Sequence, residues 1–270
     1  MNDLEVFARL ARTLAPWSAQ LVYIGGWAHR IHRLDPSANT PAHQAVFTRD
    51  TDLAFAATTP IHGDIKAALA GSGFREQLSG ETKPPVAHYV LGEESQGFYA
   101  EFLTPLAGSG RKRNGQPDAT LERAGISAQK IRDLDILLVD PWVVTLSPAN
   151  SPLETALDIQ VANPLAFMVQ KFLIQAQRPP EKRAQDILYI FDTIELFGAH
   201  MDALHRTWTG SIGPALGSKA RAKVLRLAEE TFSKVTDDLR RAALIPQDRK
   251  LTADEIRATG QFAFERILGG

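Results

Sequence analysis

The chain has 270 residues, with 30 Lys and Arg against 31 Asp and Glu, and a formal net charge of −1. No overall basic field draws such a protein onto nucleic acid, so any RNA contact must come from a local patch. The absence of cysteine excludes disulfides, zinc sites with Cys ligands and thiol nucleophiles, and points to a reducing cytoplasm. No apolar run approaches the ~20 residues needed to span a bilayer, and the first residues lack the layout of a signal peptide.

Leu4, Phe7, Leu10, Ala11 and Leu14 recur at helical spacing, so Asp3–Leu14 is predicted as an amphipathic helix ended by Pro16. Leu21–Ile24 reads as a short buried strand. Gly25-Gly26 turns it into a helix carrying His29 and His32. That junction points backbone N–H groups and a positive helix end at whatever binds there, which suits a phosphate; a plain tight turn is the rival reading. Residues 33–44 form a loop predicted to bulge off the site. Phe47–Phe55 then reads as a strand on which Asp50 and Asp52 share one face, with Leu53 and Phe55 on the other. Two carboxylates on one face repel each other, and a hard divalent cation such as Mg²⁺ relieves that repulsion.

Thr59–Ser72 is predicted helical. Pro84–Val90 and Gly97–Leu103 are predicted to pair as a hairpin around 92–96, placing Glu101 on a strand beside Asp50. Both faces of the second strand are apolar, as in a central strand, and an acid there needs a partner. Glu101 is therefore read as a third oxygen ligand rather than an ordinary exposed acid. Pro105–Gly125 is a polar loop holding Arg111-Lys112-Arg113, either a solvated charge run or a basic flap for triphosphate or RNA. Leu134–Leu146 and Thr155–Val161 read as strands, with a turn at Asp140-Pro141. From Pro164 the pattern is helical: one helix stops at Arg178-Pro179-Pro180, a second runs to about Gly198, and Ser218–Ala243 and Thr252–Leu268 follow.

These motifs in this order (Gly25-Gly26, Asp50-Thr51-Asp52, Glu101) resemble the nucleotidyltransferase superfamily with the DNA polymerase β-like fold. The strand Thr48–Leu53, the segment Phe102-Leu103-Thr104-Pro105 and the later Lys171, Arg178, Lys182 and Asp186 are similar to bacterial stand-alone members related to AbiEii-type toxins. The resemblance implies an α+β fold: a mixed β-sheet with flanking helices over 1–162, then a mainly helical domain over 163–270. It implies a Mg²⁺-dependent enzyme, with two metal ions and Mn²⁺ as a substitute. Asp50, Asp52 and Glu101 are then both ligands and catalytic residues. Gly25, Gly26, Thr48, Lys171, Arg178 and Lys182 are expected to bind the nucleoside triphosphate. The acceptor hydroxyl is that of tRNA or another RNA, a protein or a small molecule, and an antitoxin-like protein is a candidate partner.

Rival readings stay open at this level. Lys171, Arg178, Lys182 and Asp186 also fit a salt-bridge cluster at a helical turn. His29 and His32, one turn apart with no third ligand nearby, make a weak metal pair. A catalytically silent relative that binds nucleotide or partner is the main alternative to an enzyme. An Asp-x-Asp phosphohydrolase leaves Gly25-Gly26 unexplained.

Overall fold

The structure, a computed structural model, describes residues 3–80, 85–92 and 98–269. Two compact units form: residues 1–34 with 47–162, and residues 35–46 with 163–270.

The first unit is built on a mixed sheet. Helix α1 (Asp3–Leu14) buries Phe7, Leu10, Ala11 and Leu14 on the face its spacing predicts. Strand β1 (Val22–Ile24) is wholly buried and runs directly into α2 (Gly25–His32). Phe7 stacks on Trp27 of α2 at 4.1 Å between ring centroids, fixing α1 against that junction. Strand β2 (Asp50–Ala54) alternates as its sequence requires, with Asp50 and Asp52 half-buried and Thr51 and Leu53 in the core. Helix α3 (Ile65–Gly71) is shorter than predicted. Gly63 has a positive φ, and the Asp64 side chain caps the helix by accepting from Ala67 N.

Strands β3 (Arg75–Ser79), β4 (Val86–Leu91) and β5 (Phe98–Pro105) follow, and β4 and β5 pair antiparallel as expected. Their connection, residues 93–97, lies outside the described residues. The predicted loop over 105–125 instead carries β6 (Thr120–Arg123), which pairs with β7 (Ile126–Ile131), a strand the sequence pattern did not announce. Of the strand expected over 134–146, with its turn at Asp140-Pro141, only the part beyond that turn forms, as β8 (Trp142–Leu146). Asp135–Leu138 forms a 3-10 turn between Asp133 and Asp140, both at positive φ. Strand β9 (Leu157–Val161) completes the order β3-β4-β5-β2-β1-β9-β8, with β7 against the far part of β5. Strand β5 is central, as its two apolar faces imply.

The second unit is helical. Helix α4 (Pro164–Ile174) is capped by Asn163 and buried all round, and α5 (Pro180–Phe197) starts after the Pro179-Pro180 break. Helix α6 (Met201–Thr207), a π-turn and the short α7 (Gly213–Ala215) occupy a stretch left unassigned from sequence. The single helix expected over 218–243 is two: α8 (Ser218–Phe232) and α9 (Asp237–Ala243), separated where Thr236 caps the second. Helix α10 (Ala253–Leu268) opens on the expected capping box, Thr252 with Glu255. The segment 35–46 belongs to this unit through His43 and Gln44, the latter donating its backbone N–H to Asp248. No helix among the described residues is long and apolar enough to cross a membrane.

Candidate active site

Strands β2 and β5 are parallel neighbours, with Asp50 opposite Tyr99 and Asp52 opposite Glu101. Residues opposite each other on paired strands face the same side, so Asp50, Asp52, Tyr99 and Glu101 share one face. Their burial agrees: all four are half-buried, while Thr51, Leu53, Ala100 and Phe102 are in the core.

On the other side of Asp52, Ile24 lies opposite it across the antiparallel β1·β2 pair, so Gly25 comes directly against its carboxylate. A Cβ on Gly25 would collide with Asp52 Oδ2, and the φ of Gly25 is +64°. Space and backbone conformation both require glycine here. Gly25 and Gly26 are the first residues of α2, whose leading N–H groups have no partner within the helix. The Gly-Gly junction is thus a close approach of backbone to carboxylate as well as a turn.

Each acid has a distinct environment. The buried Thr48 hydroxyl donates to the Asp50 carboxylate, so Thr48 orients an acid within the protein itself. Glu101 Oε1 lies 3.3 Å from Nε2 of His88, which β4 places opposite it. Burial raises the Glu101 carboxyl above its usual range, His88 draws it back, and Asp50 raises it further. Tyr99 senses all three acids: burial first, then Asp50, Glu101 and Asp52, push its phenol up to about 12. The face therefore gathers three carboxylates about one phenol. Its donors are hard oxygens, which fit Mg²⁺ or Mn²⁺. His88 and Tyr99 are members of this face that sequence reasoning did not single out. Strand pairing supplies His88, since nothing in the local pattern ties it to an acid 13 residues further on.

The other predicted residues lie in the second unit. Lys171, only 6% exposed, pairs with Asp186 at 2.8 Å and sits over the rings of Phe167 and Tyr189. Arg178 reaches the other Asp186 oxygen at 3.1 Å. Asp186 thus orients Arg178 and Lys171, and Lys182 is exposed with Gln185 as its hydrogen-bond partner. His29 and His32 are both fully buried, and His32 Nε2 meets Ala162 O at 2.8 Å. His32 is accordingly tied to the backbone of the strand end.

Three ligand-type side chains do converge elsewhere among the described residues. His43, Asp192 and Glu195 bring one atom each within 4.8 Å of one another. Arg249 occupies that place: its guanidinium contacts His43, Asp192 and Glu195, the last at 3.2 Å. A cation already belongs to the protein there, and the group ties 43 to 192, 195 and 249.

The mixed sheet, its helical companion and an acidic face beside a Gly-Gly helix start define a nucleotidyltransferase-type protein. The family model described as Nucleotidyltransferase matches residues 3–212, and the chain belongs to that family. General nucleotidyl transfer, with a nucleotide as substrate, follows from that membership. Among solved structures, the chain is similar to an antigenic nucleotidyltransferase-like protein from Paracoccidioides brasiliensis. The two share 18% identity over 71% of this chain and 75% of that one, with a TM-score of 0.39. No curated protein matches the chain.

Proposed function

We propose that the protein is a Mg²⁺-dependent nucleotidyltransferase that moves a nucleoside monophosphate from a nucleoside triphosphate to an acceptor hydroxyl. The observation that carries this is the register of β2 and β5, which sets Asp52 beside Glu101 with Asp50 on the same face and Gly25 against Asp52. Asp50, Asp52 and Glu101 would hold the metal, with Mn²⁺ as a substitute; when bound, it offsets phosphate charge and acidifies the hydroxyl.

The remaining chemistry belongs to the chain. The acceptor oxygen bonds to the α-phosphorus, the bond from that phosphorus to the α–β bridging oxygen breaks, and pyrophosphate leaves. Glu101 takes the hydroxyl proton, and His88 at 3.3 Å holds the carboxylate in place. Thr48 fixes Asp50. The first N–H groups of α2, at Gly25 and Gly26, grip the terminal phosphates. Lys182, exposed and bonded to a neutral amide, has the most accessible ammonium, whereas Asp186 already neutralises Lys171.

The acceptor classes are an RNA 3′ end such as that of tRNA, a protein hydroxyl and a small molecule. The motif order supports kinship with AbiEii-type toxins and an antitoxin-like partner, and the absence of cysteine supports a cytoplasmic setting. The test incubates the protein with Mg²⁺ and each α-labelled nucleoside triphosphate, offering cellular RNA, cellular protein and small hydroxyl compounds as separate acceptors. Asp50→Ala serves as the blank. Label above the blank in one pool is expected and names the acceptor; equal label with Asp50→Ala overturns the assignment.

A further inference from the structure

The basic motif Arg111-Lys112-Arg113 takes no part in the face described above, and its structure is specific. Residues 108–118 fold as a hairpin closed by the Arg111–Pro117 bridge. Lys112 N donates to Gln116 O at 2.8 Å, and Asp118 N to Gly110 O at 2.9 Å. The Arg111 guanidinium clamps Gly115 O at 2.9 Å, and Arg132 holds Gly108 O at 3.1 Å. Residues 111–117 are all exposed. The one acid of the hairpin, Asp118, is taken at its base by Lys130 at 2.7 Å. The tip is thus basic in sequence, with three cations and its one acid engaged at the base, on a protein whose net charge is −1.

We propose that this hairpin docks the phosphate backbone of a nucleic-acid acceptor. For its purpose the inference rests on the nucleotidyl-transfer reading, which it deepens by naming the acceptor class. Three observations select a polymer of phosphates. First, the hairpin leaves β5 at Pro105, four residues beyond Glu101 and at the end away from Asp50. At about 3.3 Å per residue that departure lies roughly 13 Å along the strand from Glu101. A nucleoside triphosphate held at Gly25 and Asp52 has no need of it, whereas a chain of nucleotides extends beyond the length of one nucleotide. Second, the tip sequence Arg-Lys-Arg-Asn-Gly-Gln-Pro offers no large apolar side chain to bury in a lipid interface. Third, the backbone clamps order the loop before binding, so the cations are presented at reduced entropic cost.

The test uses full-length Asp50→Ala protein, which cannot turn over, and reads binding alone. The probes are a fluorescent single-stranded RNA of mixed sequence, polyglutamate and phosphatidylserine vesicles, each titrated across a salt series. The expected result is salt-dependent RNA binding. Arg111→Gln/Lys112→Gln/Arg113→Gln should weaken it and make the slope of log affinity against log salt shallower by about 2, near 0.7 for each lost phosphate contact. Lys112→Gln/Arg113→Gln, which keeps the Arg111 clamp, should lose about two-thirds of that amount and so separates charge from hairpin integrity. Unchanged RNA affinity and slope in both variants overturns the proposal, as does equal or tighter binding to polyglutamate or vesicles. Either failure leaves transfer to a protein or small molecule standing, because the labelling experiment reads it independently.

Discussion

Two clusters of carboxylates, one in each unit, are held in opposite ways. In the second unit every buried or half-buried acid described above meets a permanent cation: Asp186 meets Lys171 and Arg178, and Asp192 and Glu195 meet Arg249. On the face of the first unit, Asp50 takes a threonine hydroxyl and Glu101 a histidine, while Tyr99 feels three negative neighbours. Residue types alone do not distinguish these clusters; the partners do. An acid paired with lysine or arginine inside the fold is part of the structure. The acids on β2 and β5 are gathered instead with neutral or titratable partners.

The contrast breaks most visibly at Asp50. Asp50→Ala should abolish nucleotide transfer, a loss on the order of 10³-fold or more, while the melting temperature stays at the wild-type value or rises as repulsion is relieved. A matched loss of folding would show Asp50 to be structural. Asp186→Ala should do the reverse. It strands Lys171, 6% exposed, and should cost about 3–5 kcal/mol in a denaturant titration, with Lys171→Met/Asp186→Leu recovering most of it. A loss under 1 kcal/mol would place Lys171 among groups that do not depend on Asp186.

A pH series sharpens the comparison inside the second unit. Burial raises the Asp192 carboxyl to about 6 against an unfolded value of 3.8, although Arg249 opposes the shift. The folded state therefore binds this proton more tightly than the unfolded chain. The contribution of Asp192 to stability is greatest below about pH 4 and falls as pH rises towards 6, by about 3 kcal/mol in all. Asp192→Asn should flatten stability measured by urea unfolding across that window; an unaltered slope contradicts the assignment. The smallest effect belongs to the exposed pair Arg226–Glu230, 2.7 Å apart on α8. Arg226→Ala should change stability by no more than about 0.5 kcal/mol, since exposed pairs contribute little.

What the sequence revealed tracks how local each signal is. The β2 alternation, the Gly25-Gly26 junction, the two-proline break before α5 and the Thr252 capping box each lie within a few residues, and each forms where predicted. Strand β7, Ile-Ser-Ala-Gln-Lys-Ile, is too polar to announce itself; pairing with β5 and β6 makes it a strand. The helices over 201–215 carry two glycines and a proline, which masks the apolar period, and Leu204, Trp208 and Ile212 are buried by tertiary packing. In the candidate site, Asp50, Asp52 and Glu101 were readable as types in order. His88 was not, because only the β4·β5 register sets it against Glu101. For Lys171, the resemblance suggested nucleotide contact and the residues alone a salt-bridge cluster; its partner Asp186, fifteen residues on, belongs to that cluster. Arg249 reaches Asp192 across 57 residues and His43 across 206, separations that no pattern along the chain encodes.

On the proposed function, the acidic face of β2 and β5 binds a divalent cation together with nucleotide. Thermal unfolding with Mg²⁺ alone, nucleoside triphosphate alone and both together, for wild type and Asp52→Asn, tests it directly. Wild type should be stabilised only when both are present, by about 2.7 kcal/mol at a hundredfold excess over the dissociation constant. Asp52→Asn should lose that stabilisation. Equal stabilisation of the two proteins, or stabilisation of wild type that persists when Mg²⁺ is chelated, would contradict it.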